Sequence, residues 1–211
     1  MNDMLVVMFG LTMIYISVTG MLGSYVRMLV VQGILLFLIA LINMNEINFA
    51  GFLFVALETL ILKAIVIPWF LSKTIRENEM LREVEPYIPN FFSLLIASLI
   101  FTFGFFIASW SMKMGNTLIP LQFGVSISTM ITGMFVIITR RKLITHVMGY
   151  MVIENGIFLL SLSAAREMPI IVSLGVSLDI FMGILMAGLF INRIKSSCEE
   201  DDADSLSNLR D

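Results

Sequence analysis

Apolar positions fill this chain in long, nearly unbroken runs, separated by short clusters of charged, glycine or proline residues. Seven runs stand out, near 4–23, 28–43, 49–72, 90–110, 117–139, 143–163 and 170–193. A helix rises about 1.5 Å per residue and the hydrocarbon core of a bilayer is about 30 Å thick, so roughly 20 apolar residues cross it. The runs are continuous rather than alternating with a period of two, which predicts helices and not the strands of a membrane barrel. The expected fold class is all-α, a polytopic integral membrane protein of about seven transmembrane helices. The second run is short and reads as tilted or partly interfacial.

Composition sharpens this picture by exclusion. Of 211 residues, 58% are hydrophobic and 14% charged, whereas a soluble domain carries about one quarter charged residues. No soluble domain is expected. The first run follows Asn2 and Asp3, without the basic front of a secretory signal and without a small-x-small cleavage site, and is expected to be retained as a span. Cys198 is the only cysteine and His146 the only histidine. An internal disulfide, a cysteine-based iron–sulfur site and a protein-only metal or haem site are therefore excluded. No glycine-rich phosphate loop and no nucleophile beside a base occur, and the few basic residues are juxtamembrane rather than clustered for nucleic acid. The chain is expected to have no catalytic, cofactor-binding or metal site of its own.

The basic residues set the expected orientation. With the N-terminus outside, Arg27, Lys73, Arg76, Arg82, Arg140, Arg141, Lys142, Arg193, Lys195 and Arg210 fall on one side and only Lys113 and Arg166 on the other. The positive-inside rule makes the first side, and the C-terminus, cytoplasmic. The polar stretch Ser72 to Asn90 reads as a cytoplasmic linker with room for a short interfacial helix, and Glu199 to Asp204 as a solvated acidic tail.

Four charges contradict the apolar pattern. Glu58 and Lys63 lie in the third run, Glu154 in the sixth and Asp179 in the seventh. An ionisable group near the bilayer centre costs about 2.5 to 3.5 kcal/mol on insertion scales. Counting along the helices puts Glu154 and Asp179 each about 15 Å deep, reaching the midplane from opposite sides. Gly175, Asp179, Gly183 and Ala187 recur every four residues, so a helix is expected to approach Asp179 closely. His146, Tyr150 and Glu154 also recur every four residues, a stripe running from the cytoplasmic end to mid-membrane. Lys63 follows Glu58 by five residues, about 140° around an α-helix, so its partner is expected on another helix or subunit. Pro68 is expected to kink this span. Three carboxylates and one lysine cannot all be neutralised within the chain. Either some are protonated, or water and partner cations reach them. Glu154, Asp179, Lys63, Glu58 and, less strongly, His146 are the candidate proton-translocation residues; the bland alternative is that they form structural ion pairs.

GYMVIENGIFLLSLS (Gly149 to Ser163), the Lys63 and Pro68 arrangement in KAIVIP, and Asp179 together resemble membrane component E of hydrogenase-4 and formate hydrogenlyase complexes. The segment from about Pro120 to Asp211, including the tail DSLSNLRD, is similar to the three-helix K-type subunit of respiratory complex I. In that resemblance Glu154 matches the glutamate of the K-type second helix. Asp179 stands where its third-helix glutamate would be, a shorter side chain, and Glu58 has no counterpart. The resemblance implies a non-redox subunit of a prokaryotic plasma (inner) membrane complex. Its neighbours would be antiporter-like and other membrane subunits, with hydrophilic hydrogenase or iron–sulfur subunits joined through the complex, and its carboxylates would move protons or sodium. It also implies a division into residues 1–89, a three-helix part with its linker; 90–116, a connecting transmembrane helix; 117–195, the K-like part; and 196–211, a tail. The alternatives are a subunit of a multi-subunit cation/proton antiporter and a structural spacer between larger subunits.

Overall fold

The structure is a computed structural model that describes residues 2–43, 56–77, 87–113, 119–164 and Gly183. The chain divides into two units, Met1–Val172 and Ser173–Asp211. The first unit opens with helices α1 (Asn2–Val18) and α2 (Leu22–Asn43), an antiparallel pair. A third helix is π-helical over Ala56–Val66 (π1) and α-helical over Ile67–Glu77 (α3). Then come α4 (Asn90–Lys113), α5 (Pro120–Thr139) and α6 (Leu143–Ala164). No β-strand occurs among the described residues. The fold is all-helical, and α2, α4, α5 and α6 are long and apolar enough to cross a membrane. With α1 apolar but shorter, this is a membrane protein.

Local chemistry explains the helix ends. Pro120 occupies the start of α5, where its missing N–H is not needed and its fixed φ already suits a helix. The preceding Ile119 is extended, and its N–H donates to the Ser163 carbonyl at 3.2 Å, joining the start of α5 to the end of α6. At the other end Arg140 leaves the helix in extended conformation, and the Tyr87 N–H donates to the Thr139 carbonyl at 3.1 Å. The Arg141 guanidinium lies 4.4 Å from the Tyr87 ring centroid, so the start of α4 is held at the loop between α5 and α6.

Three expectations change. The second helix is 22 residues long and includes Arg27, because a polar residue in an early turn does not interrupt backbone hydrogen bonding; Arg27 donates to Ser24 Oγ at 3.0 Å and stays exposed. The second run is thus not short, and α2 is long enough to cross a membrane. Lys73 and Arg76 lie on α3 rather than in a linker. Finally, the backbone from Ala56 to Val66 is π-helical, so hydrogen bonds run between residues five apart and the 140° separation of Glu58 and Lys63, reckoned for an α-helix, does not apply. The switch to α geometry comes at Ile67, one residue before Pro68, which has no N–H to give to either ladder. The run near 170–193 lies outside the described residues apart from Gly183, which is helical and exposed.

Packing puts α6 at the centre. Its membrane-length window is 67% buried, against 22% for α4, which displays Phe91, Phe92, Phe103, Phe106 and Trp110 outward. The close α5–α6 contact depends on glycine. A Cβ at Gly133 would lie 2.7 Å from the Gly149 carbonyl oxygen, and one at Gly149 would lie 3.0 Å from the Gly133 oxygen. Small residues at such a crossing let helix backbones touch. Phe9 and Met13 of α1, Leu36 and Ile39 of α2, Val125 of α5 and Leu159 of α6 fill the apolar core beside it.

Candidate ion-pair site

Polar side chains join the helices at three levels along α1 and α2. At one end Asn2 Nδ2 donates to Asn43 Oδ1 at 2.8 Å, and Asn43 Nδ2 to Gln122 Oε1 at 3.1 Å. At the other end, Arg140 Nη2 donates to the carbonyls of Ser17 at 3.0 Å and Thr19 at 3.1 Å. The middle layer contains Thr12, Gln32, Asn155, Glu154 and Lys63, all buried. Thr12 is ten residues into α1 and Glu154 eleven beyond the start of α6, each roughly 15 Å along its helix. This layer is the mid-depth of the bundle.

Lys63 Nζ stands 3.1 Å from Glu154 Oε1, with the side chains only 5% and 1% exposed. Such burial decides how the pair is to be understood. An exposed pair at this distance contributes less than about 1 kcal/mol, whereas a buried one must offset several kcal/mol of desolvation per ion. Neither Glu154 oxygen has an aligned hydrogen bond among the described residues. Oε1 thus has a charge partner without an aligned hydrogen bond, and the short charge separation governs, because ion pairing tolerates poor alignment. Oε2 likewise has no hydrogen-bond partner among the described residues. The ammonium also lies 4.9 Å from the Phe158 ring centroid, an attractive placement over a ring face. The arrangement holds the Glu154 carboxylate against the Lys63 ammonium away from the protein surface.

Beside the pair runs a directed chain of hydrogen bonds. Asn155 Nδ2 donates to Gln32 Oε1 at 3.0 Å, Gln32 Nε2 to Thr12 Oγ1 at 2.9 Å, and the Thr12 hydroxyl to the Phe9 carbonyl at 2.6 Å. It ties α6, α2 and α1 together at the level of Glu154.

Among the sequence candidates, the structure brings Lys63 and Glu154 together on π1 and α6. His146 lies two turns from Glu154 on α6, and its Nε2 is 2.7 Å from the Arg140 carbonyl. A carbonyl only accepts, so Nε2 carries the hydrogen of this bond. Tyr150 lies between them in the sequence, half-buried. Glu58 belongs to π1 by its backbone; its side chain and the whole of Asp179 lie outside the described residues.

Sequence reasoning misses two participants. Gln32 is a polar residue in the middle of an apolar run, and the depth count applied to Glu154 also finds it. Arg140 reads as a plain cytoplasmic charge, yet it is 2% exposed and caps the end of α1. No sequence pattern signals that contact, which joins residues 123 apart.

No family model and no solved structure matches the chain. It is 29% identical over 195 residues to the uncharacterized protein Rv0085 of Mycobacterium tuberculosis, covering 90% of this chain and 87% of that protein. It is also 22% identical over 151 residues to hydrogenase-4 component E of Escherichia coli, covering 71% of this chain and 69% of that protein, and equally to the component E of Shigella flexneri. The chain is a membrane protein distantly related to hydrogenase-4 component E.

Proposed function

We propose that this chain is a non-redox membrane-arm subunit of a complex I-related hydrogenase or oxidoreductase complex, and that Glu154 is one of its proton carriers. The observation that carries the reading is the Lys63–Glu154 pair: 3.1 Å apart, almost wholly buried, with neither Glu154 oxygen hydrogen-bonded among the described residues. A carboxylate so placed can exchange its cationic partner for a proton, and the nearby ammonium changes how tightly that proton is held. The relationship to hydrogenase-4 component E supports the kind of complex. In this reading His146 lies at the cytoplasmic entrance, and Asp179 and Glu58 are further stations of the same track. The N-terminus lies outside and the C-terminus in the cytoplasm.

The test is proton translocation by the complex in sealed vesicles, followed with a pH-indicating dye. Glu154→Gln keeps the side-chain volume and removes the titrating group. It should abolish translocation while the complex still assembles. Wild-type acidification by an assembled Glu154→Gln complex would sink the reading.

A further inference from the structure

Lys63 and Glu154 belong to different helices, and neither helix alone determines their separation. Both are seated on two consecutive residues of α2. Gln32, 0% exposed, accepts from Asn155 at 3.0 Å, and Asn155 is the residue after Glu154. Gly33 supports the other partner. A Cβ at Gly33 would lie 3.1 Å from both the Cβ and the backbone nitrogen of Ala64, and Ala64 is the residue after Lys63. Even an alanine at position 33 would crowd Ala64, which is met there by both its side chain and its backbone.

We infer that the Gln32–Gly33 step of α2 is the positioning element that sets the geometry of the Lys63–Glu154 pair. Gln32 fixes the rotation of α6 beside Glu154, and Gly33 fixes the approach of π1 beside Lys63. The Gln32 amide is itself held from behind, because its Nε2 donates to Thr12, whose hydroxyl is spent on the Phe9 carbonyl. Each of these bonds goes to an acceptor other than Glu154, and among the described residues no group donates a hydrogen bond to the carboxylate. The positioning is independent of what the pair does; its consequence for proton transfer rests on the translocation reading.

A double-mutant cycle on the full chain in lipid nanodiscs, read as thermal midpoints, tests the geometry. Groups that act through one contact are non-additive, and independent groups add. Glu154→Gln should lower the midpoint in the wild-type background and lower it by less than about half as much beside Gln32→Leu or Gly33→Ala. Gln122→Leu removes an amide equally buried in another layer and should add in full. Ala64→Gly should recover part of the loss caused by Gly33→Ala. If Gln32→Leu does not fold, Thr12→Val and Gly33→Ala carry the same cycle. Full additivity of the α2 variants with Glu154→Gln, matching the Gln122 control, overturns the inference. Translocation measured on the same variants separates the two claims. Non-additivity with translocation untouched by Glu154→Gln refutes the functional reading and keeps the positioning element. Additivity with translocation abolished does the reverse.

Discussion

Removing one member of the Lys63–Glu154 pair should cost far more than removing both. At 3.1 Å and an effective dielectric near 20, two unit charges attract by about 5 kcal/mol. That attraction is opposed by several kcal/mol of desolvation for each ion, so the intact pair adds little net stability. Lys63→Met takes the cation from a carboxylate that is 1% exposed, and Glu154→Gln takes this carboxylate from an ammonium that is 5% exposed. Breaking a buried pair in this way costs about 3–5 kcal/mol, while replacing both partners by neutral groups is close to neutral. For a chain of this size such a loss lowers the melting midpoint on the order of 10 °C. The expected result is two single variants down by that much and a double variant, Lys63→Met with Glu154→Gln, within about 2 kcal/mol of wild type. Circular dichroism melting in nanodiscs measures all four corners. Single variants that melt like wild type, or a double variant that loses the sum of the singles, would refute the buried pair.

Arg140→Gln should destabilise the bundle by about 2–4 kcal/mol, since charged hydrogen bonds to two carbonyls at the end of α1 are lost; Arg140→Lys should recover part of the loss, because both bonds leave one nitrogen, Nη2, and an ammonium carries three donors on a shorter stem. Hydrogen exchange at the last turn of α1 checks both. Gly133→Ala should cost about 1–3 kcal/mol by forcing α5 from α6, whereas Gly23→Ala, with open space around it, should be neutral in the same melts. Cys198, the only cysteine, should react with a membrane-impermeant maleimide in inside-out vesicles and stay protected in intact cells, as the proposed orientation requires.

Much of the architecture is legible in the sequence because bilayer thickness acts on composition directly. The runs at 90–110, 117–139 and 143–163 coincide closely with α4, α5 and α6. Glu154 and Lys63 are visible because charge in an apolar run is costly wherever the run folds. Their partnership is not, because the contact joins residues 91 positions apart in sequence and depends on helix rotation. The π-helical winding around Lys63 is also hidden: composition distinguishes helix from strand, but not i−4 from i−5 hydrogen bonding. Gln32 and Arg140 escape for different reasons. One is uncharged and so does not stand out from its run. The other looks like an ordinary cytoplasmic charge until the end of α1 is seen to need a donor.

The most direct test of the central claim is proton translocation by the membrane complex carrying Lys63→Met and Glu154→Gln together. This variant removes the charges without leaving either one stranded, so a stability defect does not confuse the outcome. The expected result is an assembled complex that no longer acidifies sealed vesicles. Translocation lost in each single variant but restored in the double would contradict the claim, and would show that the buried pair only holds the helices together.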